Sequence, residues 1–285
     1  MKLYNLWEFW VVLYLISAVV FAQTFKKANR NMKNAGTLTI LLELFTAMFA
    51  IIFIPFFEFK FATDLNVYIT LLIVTIIYAA TDRLNIEARY GLEPSTFSML
   101  KQLSTAFIII LGLIFLKEEL IINKILGAII IIGANLILAF EKGKIRINKY
   151  FIMSFISNFL FAIAMLINVN ISNKFNLALY TIITVGIPAI YIFIAGKHTI
   201  KDLQEEFKLY NKKQFLLSAF TWCLMLISSV KAYQIGSVTM VAPLLALTSI
   251  INAIVEFIFK KNKKKLIQKL IAAILLILGV ILVKL

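Results

Sequence analysis

Ten long apolar runs constrain this chain most. They lie at 5–24, 35–57, 66–81, 94–116, 122–140, 147–168, 178–195, 215–230, 237–259 and 266–283, with short polar segments between them. About 20 mostly apolar residues span the hydrocarbon of a bilayer as a helix, and backbone entering hydrocarbon must satisfy its own hydrogen bonds. The chain is 62% hydrophobic and 15% charged, against roughly half and one quarter in a soluble domain. No stretch between runs is long enough to build a separate core. The sequence therefore reads as an all-α membrane protein with ten transmembrane helices. Charged or polar extensions at 82–89 and 231–234 would lengthen the third and eighth helices.

The net charge of +15 would raise the question of nucleic acid in a soluble protein. Here the cations lie in short tracts beside apolar runs, which points to topology and to contact with anionic lipid, not to nucleic acid. There is one cysteine, Cys223, and one histidine, His198, in a polar loop. No His, Cys and carboxylate cluster has metal-ligand spacing, and no glycine-rich phosphate loop is present, so neither catalysis nor a cofactor is expected. Lys and Arg favour the loops after runs 1, 3, 5, 7 and 9 by roughly three to one, which places that face in the cytoplasm and both termini outside.

The chain also repeats itself. Laying 88–117 over 232–261 sets Ser95 on Thr239, Ser104 on Thr248, Thr105 on Ser249 and Phe115 on Phe259. Two extra residues in the second copy then bring Gly127 over Ala273 and Gly133 over Gly279. This divides the chain into halves at 1–142 and 147–285, each with five runs. An odd number per half makes the halves insert in opposite orientation, and inverted repeats of this kind place a substrate site near the bilayer midplane between them.

Polar residues inside the runs nominate that site. Lys101 interrupts the fourth run, where a charge costs at least ~2.5 kcal/mol unless it faces protein or water. Glu43 lies in the second run at the same depth, ~10–12 Å from the same face. Equal depth permits a Glu43–Lys101 pair if the second and fourth helices adjoin; in its functional reading a substrate carboxylate or phosphate displaces Glu43, and protonation of Glu43 couples transport to H⁺, since burial disfavours a charged carboxyl. The blander alternative is a permanent structural ion pair. Pro243 frees a backbone carbonyl in the ninth run. Ser104, Thr105, Thr239 and Thr248 supply hydroxyls, and Asn252 and the deep Asn158 supply amides; all also suit ordinary helix–helix bonding. Glu256 sits one turn before Lys260 and is expected to pair with it at a helix end. Arg83 and Glu87, four apart, are expected to form a rim ion pair.

Two five-run halves, together with Phe115-Leu116-Lys117-Glu118-Glu119-Leu120 ending the fourth run and glycines Gly127 and Gly133 in the next, resemble the EamA-like branch of the drug/metabolite transporter superfamily. Leu100-Lys101-Gln102-Leu103-Ser104-Thr105-Ala106-Phe107 is similar to a stretch of the nucleotide-sugar transporters of that superfamily, whose lysine contacts a substrate phosphate. The resemblance implies an anion-binding role for Lys101. Those transporters carry another lysine early in the ninth helix, where this chain has Val241-Ala242-Pro243-Leu244-Leu245. The departure points to a smaller anionic or zwitterionic metabolite.

The expected function is therefore a secondary transporter, not an enzyme, in the plasma membrane of a prokaryote. Its partners would be a small-molecule substrate, membrane lipids and a coupling proton or counter-substrate, and it would act as a monomer or homodimer. The alternative is a flippase for a lipid carrier or lipid headgroup, or an accessory membrane subunit. Members of the resembled family are drawn with both termini inside, against the charge distribution, which is the stronger guide for short loops.

Overall fold

The computed structural model describes residues 6–104, 106–107, 110–111, 122–141, 144–145, 147–168, 171–235, 241, 244–245, 247–260 and 266–284. Its helices are α1 (Trp7–Ala28), α2 (Ala35–Ile51), α3 (Leu65–Gly91), α4 (Pro94–Leu100), α5 (Ile122–Ala139), α6 (Lys149–Asn168), α7 (Leu177–Ala195), α8 (Ile200–Lys208), α9 (Lys212–Ile235), α10 (Thr248–Lys260) and α11 (Leu266–Lys284). Each of the ten apolar runs carries one of these helices, and α8 is additional. An antiparallel pair of two-residue strands, β1 (Phe140–Glu141) and β2 (Lys144–Ile145), lies at the junction of the two halves of the sequence. Among the described residues the remaining regular structure is helical, and α1, α3, α7 and α9 are long and apolar enough to cross a membrane.

Local chemistry sets the helix ends. The Asn34 side chain accepts from the Gly36 and Thr37 N–H groups at the start of α2, and Asn176 accepts from Ala178 and Leu179 at the start of α7. Each satisfies donors that have no partner within the helix. Asn176 also donates to the carbonyls of Ile54, Phe57 and Glu58, tying α7 to the segment after α2. The apolar run at 35–57 outlasts α2, because Pro55 cannot continue a helix and starts a 3₁₀ turn at Ile54–Phe56 instead. The third and eighth runs do extend as the sequence suggested: α3 continues through Asp82 and Arg89 to Gly91, and α9 reaches Ile235.

The helices pack across the two halves of the sequence. α1 lies on α9, and α6 lies on α3; α2 packs on α7, α4 on α10, and α5 on α11; α3 also meets α7, and α9 meets α2. Exchanging α1–α5 for α6, α7, α9, α10 and α11 in order maps this set of pairings onto itself. Large apolar side chains such as Ile16, Met48, Ile69, Ile129, Ile190 and Leu278 point outward and are exposed. Hydrocarbon accepts such a surface readily, whereas a soluble monomer rarely exposes one so large.

Candidate functional site

Three polar residues of α3 form one stripe. Asp82, Asn85 and Arg89 recur at i, i+3 and i+7, which a helix presents on a single face. That face turns inward. The Arg89 guanidinium stacks 4.0 Å from the ring centroid of Phe97 on α4 and 4.7 Å from that of Phe21 on α1. Such cation–π contacts gain strength when desolvated. Asp82 lies nine residues before Gly91, roughly 13 Å along the helix, at the depth of Glu43 on α2. Its carboxylate is within charge reach of Lys101 and Arg89, with the Asn85 amide beside it.

Glu43 is fully buried. Neither of its oxygens accepts a hydrogen bond from a donor among the described residues, and its charged neighbour is Asp82. The direct Glu43–Lys101 pair that equal depth permitted does not form: no ion pair joins them among the described residues, and Lys101 instead has Asp82 and Arg89 as charged neighbours. Asp82, on α3, is a charged neighbour of both Glu43 and Lys101, so the two residues share a carboxyl as neighbour and are not paired directly. Lys101 Nζ also stands 5.8 Å from the ring centroid of Phe161 on α6.

Lys101 itself sits at a break in the fourth helix. The Gln102 N–H bonds the Met99 carbonyl and the Ser104 N–H bonds the Lys101 carbonyl, each three residues back, the tighter 3₁₀ pattern. The Leu100 carbonyl accepts from Asn158 Nδ2 at 3.2 Å, and that amide also donates to the Ser154 carbonyl at 2.7 Å. Asn158 therefore supports the backbone under Lys101 from α6. Ser104 spends its hydroxyl on the Lys101 carbonyl, at 2.7 Å.

A second polar group continues the site toward α1 and α10. Tyr14 on α1 is beside the Thr248 hydroxyl and within reach of Arg89, and Tyr233 lies near Tyr14. Asn252 is fully buried. It donates to Ser98 Oγ at 2.9 Å and accepts from Gln23 Nε2 at 3.0 Å, joining α10, α4 and α1. Of the residues nominated from sequence, Glu43, Lys101 and Thr248 line this polar interior. Asn158 and Asn252 brace it, and Ser104 bonds its own helix. Thr105, Thr239 and Pro243 lie outside the described residues. Sequence reasoning passed over Asp82, Arg89, Tyr14 and Gln23; the i, i+3, i+7 spacing was the signal for the first two.

Near the face rich in basic loops the ionic arrangement is different. Arg83 Nη1 pairs with Glu87 Oε2 at 2.9 Å, as its spacing implied, and Lys149 stands 3.6 Å from Glu87 Oε1. These groups line an open cleft of about 320 Å³ with Lys33, Asn34 and Tyr90. The Lys260 side chain, the expected partner of Glu256, lies outside the described residues. Glu256 meets a partner the sequence did not suggest, Lys269 Nζ at 2.8 Å, and that ammonium also bonds Glu93. α11 packs against α10 and brings Lys269 into the interior, where Glu256 and Lys269 are 5% and 8% exposed. Lys269 and Arg89, both counted with the loop cations in the sequence, are thus interior charges.

No protein-family model matches the chain, and no curated protein does. Solved structures do match it. One crystal structure of a protein aligns with a TM-score of 0.54 at 10% sequence identity, covering 96% of this chain and 97% of the other. At that identity the likeness concerns the fold alone.

Proposed function

We propose that the protein is a secondary transporter that moves a small polar organic metabolite, anionic or zwitterionic, by alternating access. The observation that carries this reading is the interior cluster of Glu43, Asp82, Arg89 and Lys101 within a helical bundle whose outer surface is largely apolar. Charges in such a place cost stability and are kept where they meet a substrate or an ion path. The helix break at Lys101 is the kind of discontinuity that transporters use to present backbone and charge to a substrate.

The mirrored helix pairing supports two inverted five-helix repeats, 1–142 and 147–285, and hence ten transmembrane helices. The asparagine caps of α2 and α7, which correspond in that scheme, support it as well. The same architecture fits an EamA-like member of the drug/metabolite transporter superfamily in the plasma membrane of a prokaryote. Energy would come from a proton gradient or from exchange.

The test is thermal unfolding of the purified protein and of Lys101→Ala against a panel of small metabolites. A ligand at 100 times its Kd stabilises the folded state by about 2.7 kcal/mol. Anionic metabolites are expected to raise the unfolding temperature of the wild type and not that of the variant. Equal stabilisation of both would make Lys101 structural.

The cleft formed by Lys33, Arg83 and Lys149 favours a second reading, a flippase that engages anionic lipid headgroups. In the same screen that protein would respond to soluble headgroup analogues, and Lys149→Ala would weaken the response.

A further inference from the structure

The Glu43 carboxyl presents a chemical problem that its surroundings resolve in one way. An ionised carboxylate only accepts hydrogen bonds. Glu43 is fully buried with no donor to either oxygen among the described residues, and its neighbour Asp82 is another carboxyl. α7, packed against α2, carries no charged residue, and α9 carries only Lys212, Lys213 and Lys231, near its ends. From α8 and its flanking turn, Glu206 bonds the backbone of Lys33 and Asn34, and His198 meets Thr37, near the start of α2. A proton placed between Glu43 and Asp82 supplies the missing donor, and the acid pair then hydrogen-bonds itself. Two further oxygens near Asp82 in sequence, Thr81 Oγ1 and Asn85 Oδ1, are buried without a partner among the described residues as well.

That proton changes the charge of the whole cluster. With both acids ionised, Glu43 and Asp82 offset Lys101 and Arg89, and the site is neutral. With one proton held by the pair, one cationic charge is left over, which a single organic anion would balance. Net charge in a desolvated site is expensive, so occupation by an anion and occupation by a proton favour each other. We infer that this site binds one proton on the Glu43–Asp82 pair together with one monoanionic substrate at Lys101 and Arg89, so that the protein is a proton–anion cotransporter. The inference rests on the transporter reading and specifies its coupling. The proton comes from the aqueous side to which the site is open and leaves with the anion on the other, so each cycle carries no net charge. By linkage the anion's affinity falls as pH rises and the pair loses its proton, and the proton's affinity rises by the same factor when the anion is bound.

The experiment is calorimetric titration of the full-length protein in detergent with lactate, gluconate and methanesulfonate, monoanions that hold no proton of their own near neutral pH. Each is titrated in two buffers of different ionisation enthalpy, which counts the protons taken up. Repeated over a range of pH, binding to the wild type is expected to take up about one proton per anion where the anion-free pair has lost its proton, and less where the pair already holds it. Glu43→Gln, with a donor built in, should bind with little proton uptake, and Lys101→Ala should not bind. Binding to the wild type with no proton uptake at any pH, and with an affinity that does not fall as pH rises, overturns the coupling and leaves the transporter reading standing. Binding by none of the three anions, nor by any small metabolite in the thermal screen, overturns both. The wild-type proton count alone decides the matter if Glu43→Gln fails to fold.

Discussion

Asn158 carries a burden larger than one hydrogen bond, because it answers a carbonyl released where the fourth helix breaks. Asn158→Ala leaves the Leu100 carbonyl buried without that donor, which is expected to cost about 1–3 kcal/mol. Thermal unfolding in detergent measures the loss. Asn158→Asp should be no better, since an ionised carboxylate has no proton to donate. Lys101 and Glu43 stand out in the sequence because each is the lone charge in an apolar run. Asp82 and Arg89 do not, because they follow the apparent end of the third run, where charges read as a solvated rim. Only the continued helix, which the extra length of α3 provides, turns them inward. Asn252 was nominated as a lining residue, yet both its hydrogen bonds go to neighbouring helices, and sequence cannot tell a lining amide from a bracing one.

At the scale of an element, α8 is the piece the sequence left as a polar loop. It is short, but Thr199 and Asp202 form a capping box at its start, and α8 lies against α2. Its anchor is Glu206. The carboxylate accepts from the Lys33 and Asn34 N–H groups at 2.8 and 3.2 Å and from the Tyr210 hydroxyl at 2.7 Å. Glu206→Ala strands those donors and is expected to lower stability by about 1–3 kcal/mol, read by unfolding temperature. The Tyr210 phenol is pushed above its ordinary value of 10.0 by burial and by the Glu206 carboxylate. Its stabilising contribution is therefore complete below that value. It is lost as pH rises, because the unfolded chain ionises first and the folded one resists. Above pH 10 the unfolding temperature of the wild type should fall more steeply than that of Tyr210→Phe. The Asp202 carboxyl is held below the usual range by its two bonds from Thr199, so the cap persists at neutral pH and weakens on acidification.

At the scale of the whole molecule, the two halves of the sequence approach backbone to backbone where α11 packs on α5. A Cβ on Gly279 would lie 2.9 Å from the Gly127 carbonyl oxygen and 2.9 Å from Ile131 Cγ1, whereas one on Gly133 would meet nothing within 4 Å. Small residues let membrane helices approach backbone to backbone. Gly279→Ala is expected to destabilise by about 1–3 kcal/mol through overpacking, and Gly133→Ala to be neutral or slightly stabilising in the helix. Unfolding of the two variants side by side checks the contrast. The repeat that aligned these two glycines was visible in sequence because polar and small residues recur at matching places among interchangeable Ile and Leu. Which of the two makes the contact was not visible, because positions that align in sequence need not have equal neighbours in space.

In the proposed alternating-access cycle, one interior ion group bears on how the two halves would part. Lys269 and Glu256 belong to the second half of the chain and Glu93 to the first, and the single ammonium holds both acids. Parting the halves at this end requires Lys269 to release Glu93 alone, since Glu256 travels with it. Glu93, with its side chain 42% exposed, passes into water at small cost. The lysine keeps a counter-ion throughout. The contact thus works as a latch whose bolt never leaves its own half, so the barrier to opening omits the largest penalty an interior charge can impose, that of being left alone.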